Sequence, residues 1–279
     1  MNKIILLVGS LLMSCTLLKA TPNMSIYEAI NKAGYQRMLT QRVAKCYISI
    51  TAGLDEDRHK THLMGSAKAF ENNLNELKVY APNDKIRDQF RYVEILWRNY
   101  KFIYTNEFTT ENATVVLQFN NKILKACHEA VQLLEEYALE NKMYGDQEIQ
   151  AGDQELAQII SLSGKQRMLT QRIALYAVAK TYGIGDSEEN LQLYTEAISD
   201  FGTAYRKLMA CSKNTVQIDE EYSAVSKQWG LLEADLGEVI VAPSLSIQVK
   251  EKLLNVLENA DLVLFRFDEI VFLYERQKN

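Results

Sequence analysis

The chain has 279 residues, a formal charge of −5, 47% hydrophobic and 24% charged residues. This is the composition of a globular protein, long enough for one large or two ordinary domains, and it excludes a disordered chain. An acidic balance without a basic cluster also argues against nucleic acid as a partner.

Only twelve Gly and three Pro interrupt the sequence, which favours long helices over many short strands. At the N-terminus, Lys3 precedes an apolar run from Ile4 to Leu18, shorter than the roughly 20 residues that span a bilayer. The pattern is that of a secretory signal over residues 1–20, and it predicts a periplasmic protein. Two processing routes are open. Leu12-Met13-Ser14-Cys15 resembles a lipoprotein box that would anchor the chain through Cys15, whereas ordinary cleavage would follow Ala20. No second long apolar run follows, so no transmembrane receptor is expected. Cleavage after Ala20 removes Lys3 and Lys19 and leaves an odd set of cysteines, Cys46, Cys127 and Cys211, so no disulfide framework is implied. A single Cys46–Cys127 bridge within the first module and small buried hydrophobes are the two readings.

Ser25-Ile26-Tyr27-Glu28 is a capping box that opens a helix reaching about Thr51. Further helices are predicted over residues 58–80 and 84–104, the latter with Phe90, Val93, Leu96, Trp97 and Tyr100 at helical spacing. A turn at residues 109–112 leads into a fourth helix reaching about Lys142, and residues 143–152 read as a linker. Asp153 then caps a helix to Tyr182, another ends near Cys211, a third starts around Asp219, and Ala242-Pro243-Ser244 begins the last.

The second set copies the first. Gly34-Tyr35-Gln36-Arg37-Met38-Leu39-Thr40-Gln41-Arg42-Val43-Ala44 returns as Gly164-Lys165-Gln166-Arg167-Met168-Leu169-Thr170-Gln171-Arg172-Ile173-Ala174, 130 residues later. Leu117-Gln118 and Lys122-Ile123-Leu124 match Ile247-Gln248 and Lys252-Leu253-Leu254 at the same offset. The duplication therefore covers whole modules. The predicted fold is all-α, two tandem antiparallel up-down four-helix bundles over residues 21–148 and 149–279.

At about 100° per residue, Tyr35, Leu39, Val43, Cys46 and Ile50 share one helix face. Gly34, Arg37, Met38 and Gln41 share another, as do Gly164, Arg167, Met168 and Gln171. A mid-helix glycine costs about 1 kcal/mol relative to alanine; its recurrence suggests a close approach by a backbone or a ligand. Arginine offers a planar fork of donors for an anion. If the two first helices pack about a pseudo-twofold axis, Arg37 and Arg167 converge, and one small anion would relieve their burial. Structural pairing of each arginine with a neighbouring carboxylate is the competing reading. Arg42 and Arg172 lie nearer the core edge and read as structural, and Gln36 and Gln166 as bonded within their own bundles.

Ile30-Asn31-Lys32-Ala33-Gly34 followed by Arg37-Met38 and Arg42 resembles the ligand-binding helix of the nitrate/nitrite sensor kinases. The string Gly-x-Gln-Arg-Met-Leu-Thr-Gln-Arg is similar to the N-terminal sensory domain of type IV pilus methyl-accepting chemotaxis transducers. In the sensor kinases this domain is a periplasmic four-helix bundle that dimerises through its first helix and holds nitrate on the twofold axis. The resemblance implies a ligand site of Gly34, Arg37, Gly164 and Arg167; Gln41 and Gln171, on the same helix faces, complete the candidate set. It implies a nitrate- or nitrite-like anion as ligand and a membrane-bound sensor kinase or chemotaxis transducer as partner. A ligand-free helical scaffold is the alternative. No nucleophile elbow, phosphate loop or paired-carboxylate signature is present, so no enzyme is expected, and no cofactor is called for. His59 and His62, spaced i and i+3 with no cysteine or third histidine nearby, read as a solvated helix face and not as a metal site.

Overall fold

The computed structural model describes residues 24–141 and 151–277. Eight helices make it up: α1 (Ile26–Thr51), α2 (Glu56–Tyr80), α3 (Asp84–Tyr104), α4 (Thr110–Glu140), α5 (Ala151–Thr181), α6 (Ser187–Met209), α7 (Val216–Val241) and α8 (Ile247–Arg276). The expected leader, the Cys15 anchor and the module boundary at residues 148/149 lie outside the described residues, as does most of the expected linker. No described helix is long and apolar enough to cross a membrane.

Short polar side chains set the helix starts. Ser25 accepts from the Glu28 amide at 3.2 Å, and Asn83, Thr109, Asp186, Thr215 and Ser246 cap in the same way, each satisfying an otherwise orphaned N–H. These caps correct two expected boundaries. Thr215 caps α7, which starts at Val216, three residues before Asp219, and the extended backbone at Ala242 delays α8 until after Ser246. Gly53 and Gly183 end α1 and α5 with φ of +66° and +62°. Each lets the next residue reach back five positions, Leu54 N to Ser49 O and Ile184 N to Ala179 O, the left-handed stop that favours glycine.

Helices α1–α4 form one bundle and α5–α8 the second. Within each, the first helix packs on its second and fourth, and the third leans on the fourth. The two bundles meet through α1 and α5, which pack directly on each other. These two helices are therefore covered on all sides: every residue from Gln36 to Ile50 except Arg42 is buried, and from Gln166 to Ala179 all except Arg172. The polar face of the motif points into the seam between bundles.

The duplication is visible in the core. Phe70 of α2 stacks on Trp97 of α3, and Phe201 of α6 on Trp229 of α7, both with ring centroids 3.8 Å apart. Gln36 donates to the Phe70 carbonyl at 3.1 Å and Gln166 to the Phe201 carbonyl at 3.0 Å, so the two glutamines tie α1 to α2 and α5 to α6. Cys46 and Cys127 are free, buried thiols and not a bridge.

Candidate functional site

The repeated glycine and arginine form one local device. A Cβ on Gly34 would lie 3.3 Å from Nη2 of Arg37, and one on Gly164 3.1 Å from Nη2 of Arg167. The close approach that the glycine permits is thus made by the chain's own guanidinium, folded back one turn. Thr40 and Thr170 donate to the Arg37 and Arg167 carbonyls at 2.8 and 2.9 Å. Up to this point the halves are copies.

Beyond it they differ. Arg167 donates to Asp268 of α8 at 2.9 Å and, across the seam, to Asn31 of α1 at 2.6 Å. Its guanidinium also lies 5.2 Å from the centre of the Tyr35 ring. At the 130-residue offset the position of Asp268 is Ala138, which leaves Arg37 without that carboxylate. Nη1 of Arg37 instead lies 3.3 Å from Nδ1 of His128 on α4. Burial lowers Arg37 to about 10, with the Arg167 charge acting in the same sense and Glu135 opposing both; it remains a cation at neutral pH. Burial and the adjacent Arg37 lower His128, so its neutral ring can accept the bond.

The two arginines do not share one cavity. Arg37 lines a 320 Å³ cavity with His128, Glu135 and Lys165, walled by apolar side chains including Ile30, Leu139, Ile160 and Leu162. Arg167 borders a separate 170 Å³ depression with Glu28, Asn31, Lys32 and Tyr35. The single anion bridging both guanidinium groups is therefore replaced by two unequal environments. The reason is physical: Asp268 and Asn31 already satisfy the second arginine. Gln41 and Gln171 are fully buried, and neither lines the Arg37 cavity. Gln41 pairs amide to amide with Asn120 and accepts from Arg172, while Gln171 donates to the Ala260 carbonyl. His128, Glu135 and Lys165 were not legible as site residues; only the fold brings α4 and α5 against Arg37.

A second cluster occupies the other end of the seam. Lys45 of α1 is wholly buried and its Nζ lies 2.6 Å from Oδ1 of Asp261 on α8. Oδ2 of the same carboxylate lies 3.6 Å from Arg58 and 3.5 Å from His62. Burial pushes the Asp261 carboxyl up, but Lys45, His62 and Arg42 outweigh it and hold it far below the usual carboxylate range. His59 is 2% exposed, so the expected solvated histidine face is corrected. Leu63 and His59 turn the α2 face inward, and Cys46, distant in sequence, meets both histidines. Burial, aided by Lys45, lowers His59 to about 3 and keeps it neutral.

The model of the PilJ family, type IV pili methyl-accepting chemotaxis transducer N-term, matches residues 25–114 and 151–253. The chain belongs to the PilJ family. The first matched segment begins at the cap of α1 and the second at the start of α5, so both copies are PilJ modules. No curated protein and no solved structure matches the chain. PilJ membership gives the two-bundle chain a signalling class, that of chemotaxis transducers.

Proposed function

We propose that this PilJ protein is an extracytoplasmic sensory module that binds a small organic anion in the Arg37 cavity and passes the change to a membrane-bound transducer or kinase. The observation that carries this reading is the asymmetry of the paired arginines. Arg167 donates to a carboxylate and an amide, whereas the Arg37 guanidinium, equally buried, meets only a neutral imidazole at hydrogen-bond distance. Lys165, anchored to Asp200 at 2.8 Å, adds a second cation at the mouth. A mostly apolar cavity with a few convergent polar groups is the usual form of a small-molecule site. Its 320 Å³ is far more than a three-oxygen anion fills, so a carboxylate with an apolar body suits it better than nitrate or nitrite. Because α1, α4 and α5 all border the cavity, a ligand that prefers one spacing of α1 and α5 shifts the seam between the bundles.

The reading is tested by calorimetric titration with nitrate, nitrite, sulfate, phosphate and a series of short to branched carboxylates. Saturable binding of one class, lost in Arg37→Gln and retained in Asp268→Asn, supports it. If no anion binds, both arginines serve only to hold the helices together. The protein is then a helical scaffold whose motif only packs helices.

A further inference from the structure

The cluster at the far end of α1 has features that packing does not explain. One ligand atom each from Cys46, His59 and His62 lies within 4.8 Å of the other two. Nδ1 of His59 is buried without a hydrogen-bond partner, a costly state for a polar atom unless something completes it. The duplicated half provides an internal control. At the 130-residue offset of the motif Cys46 corresponds to Tyr176, and aligned on the starts of α2 and α6 the two histidines correspond to Asn190 and Leu193. There the polar atoms are satisfied internally: Tyr176 donates to Asn121 at 2.9 Å and Asn190 to the Ile184 carbonyl at 2.7 Å. The fold thus accepts this corner with no thiol and no imidazole. The first half has all three at once.

We propose that Cys46, His59 and His62 bind a soft d10 metal ion, Cu(I) in preference to Zn(II). A thiolate with two neutral imidazoles is a donor set that both ions accept. Bonds of about 2.3 Å to sulfur and 2.0 Å to nitrogen put ligand atoms roughly 3.3–3.8 Å apart. The cluster therefore closes on an ion by side-chain rotation of about 1 Å. Charge decides between the ions. Arg42 lies 3.4 Å from His62 and Arg58 3.6 Å from Asp261, and the Asp261 carboxylate is engaged by Lys45. Cu(I) with one thiolate is neutral and tolerates these cations, whereas Zn(II) with one thiolate leaves a net positive charge beside them. Asp261, 3.5 Å from His62, is placed to orient that ring from behind. On binding, the S–H bond is exchanged for a sulfur–metal bond and the proton leaves to solvent; His62, with a side chain 26% exposed, is the way in. Nine residues separate Cys46 from Arg37, about 13 Å along the helix, so the site is independent of the anion cavity.

The test is anaerobic titration of the reduced, metal-free protein with Cu(I) against a chromophoric Cu(I) chelator, with Zn(II) in parallel. One Cu(I) per chain is expected, with sulfur and nitrogen donors in X-ray absorption. Cys46→Ser and His62→Gln should each weaken binding by more than the 10–100-fold typical of losing an outer partner. His62 is partly exposed, so this variant keeps the test valid if Cys46→Ser unfolds. Cys211→Ser and Arg37→Gln should leave Cu(I) binding unchanged. Failure to compete with the chelator, or binding that survives Cys46→Ser and His62→Gln but disappears in Cys211→Ser, overturns the proposal. Tighter binding of Zn(II) than Cu(I) overturns the stated preference.

Discussion

The Lys45–Asp261 pair joins the two bundles, and its twin across the seam shows what it replaces. At the 130-residue offset Lys45 corresponds to Leu175 and Asp261 to Val131, both buried. Lys45→Leu leaves the Asp261 carboxylate with Arg58 at 3.6 Å and His62 at 3.5 Å, so the cost is at the low end for a broken buried pair, about 3 kcal/mol. Asp261→Val leaves a fully buried ammonium that has no other ion-pair partner among the described residues, and should cost about 5 kcal/mol. The double variant copies the apolar twin and should lie near wild type or above it, by as much as about 4 kcal/mol. Urea unfolding followed by fluorescence in Trp229→Phe and Trp97→Phe backgrounds reports the first and the second bundle in turn, and the double-mutant cycle gives the coupling. The pH dependence has a defined sign. Asp261 is depressed in the folded state, so its contribution is complete above an unfolded value of about 3.9 and is lost as pH falls through the lower folded one. That acid-sensitive increment should be missing from the double variant. If the two single losses simply add, the pair does not work as a unit and the reasoning fails.

Gly164→Ala gains about 1 kcal/mol of helix propensity. However, its Cβ meets an Arg167 tethered at both ends by charge-assisted bonds of 2.9 and 2.6 Å. Disturbing these, at about 1.5–3 kcal/mol, should leave a net loss near 1 kcal/mol in chemical denaturation. Gly34→Ala, against the looser Arg37, should be neutral within about 0.5 kcal/mol; equal effects at both positions would refute the asymmetry. Arg167→Ala should cost about 2 kcal/mol, read as an earlier loss of contact between the bundles in hydrogen exchange at α1 and α5. Burial pushes the Cys46 thiol to about 11 and Cys127 to about 12, whereas Cys211 is only half-buried. Native alkylation tracked by mass spectrometry should therefore modify Cys211 well before the other two.

The helices were legible because their signals are local. Ser25, Asn83 and Thr109 cap where their side chains allow it, and the apolar spacing of Phe90, Val93 and Trp97 marks the inward face of α3. The seam was half legible. The wheel separates a Gly34–Arg37–Gln41 face from the core face, but periodicity cannot say whether such a face meets water or another helix. The duplication supplied the pairing of α1 with α5. The partners of the two arginines were not legible, since Asp268 and His128 reach them only through the register of α4 and α8 in the fold. Lys45 was hidden for a related reason: a lone lysine in an apolar stretch gives no sign of an acid 216 residues away. Its mismatch with Leu175 in the other copy was the one available clue.

A chain that folds back on its own duplicate is freed from a rule that binds two identical subunits. In a symmetric dimer each substitution is written at both ends of the axis, so a pocket cannot be opened on one side and filled on the other. Here Asp268 fills one arginine's environment while Ala138 leaves the other open. Evolution can thus keep one side of the α1–α5 contact fixed and vary the other. Because both helices belong to one polypeptide, that lopsided joint keeps its balance at any dilution.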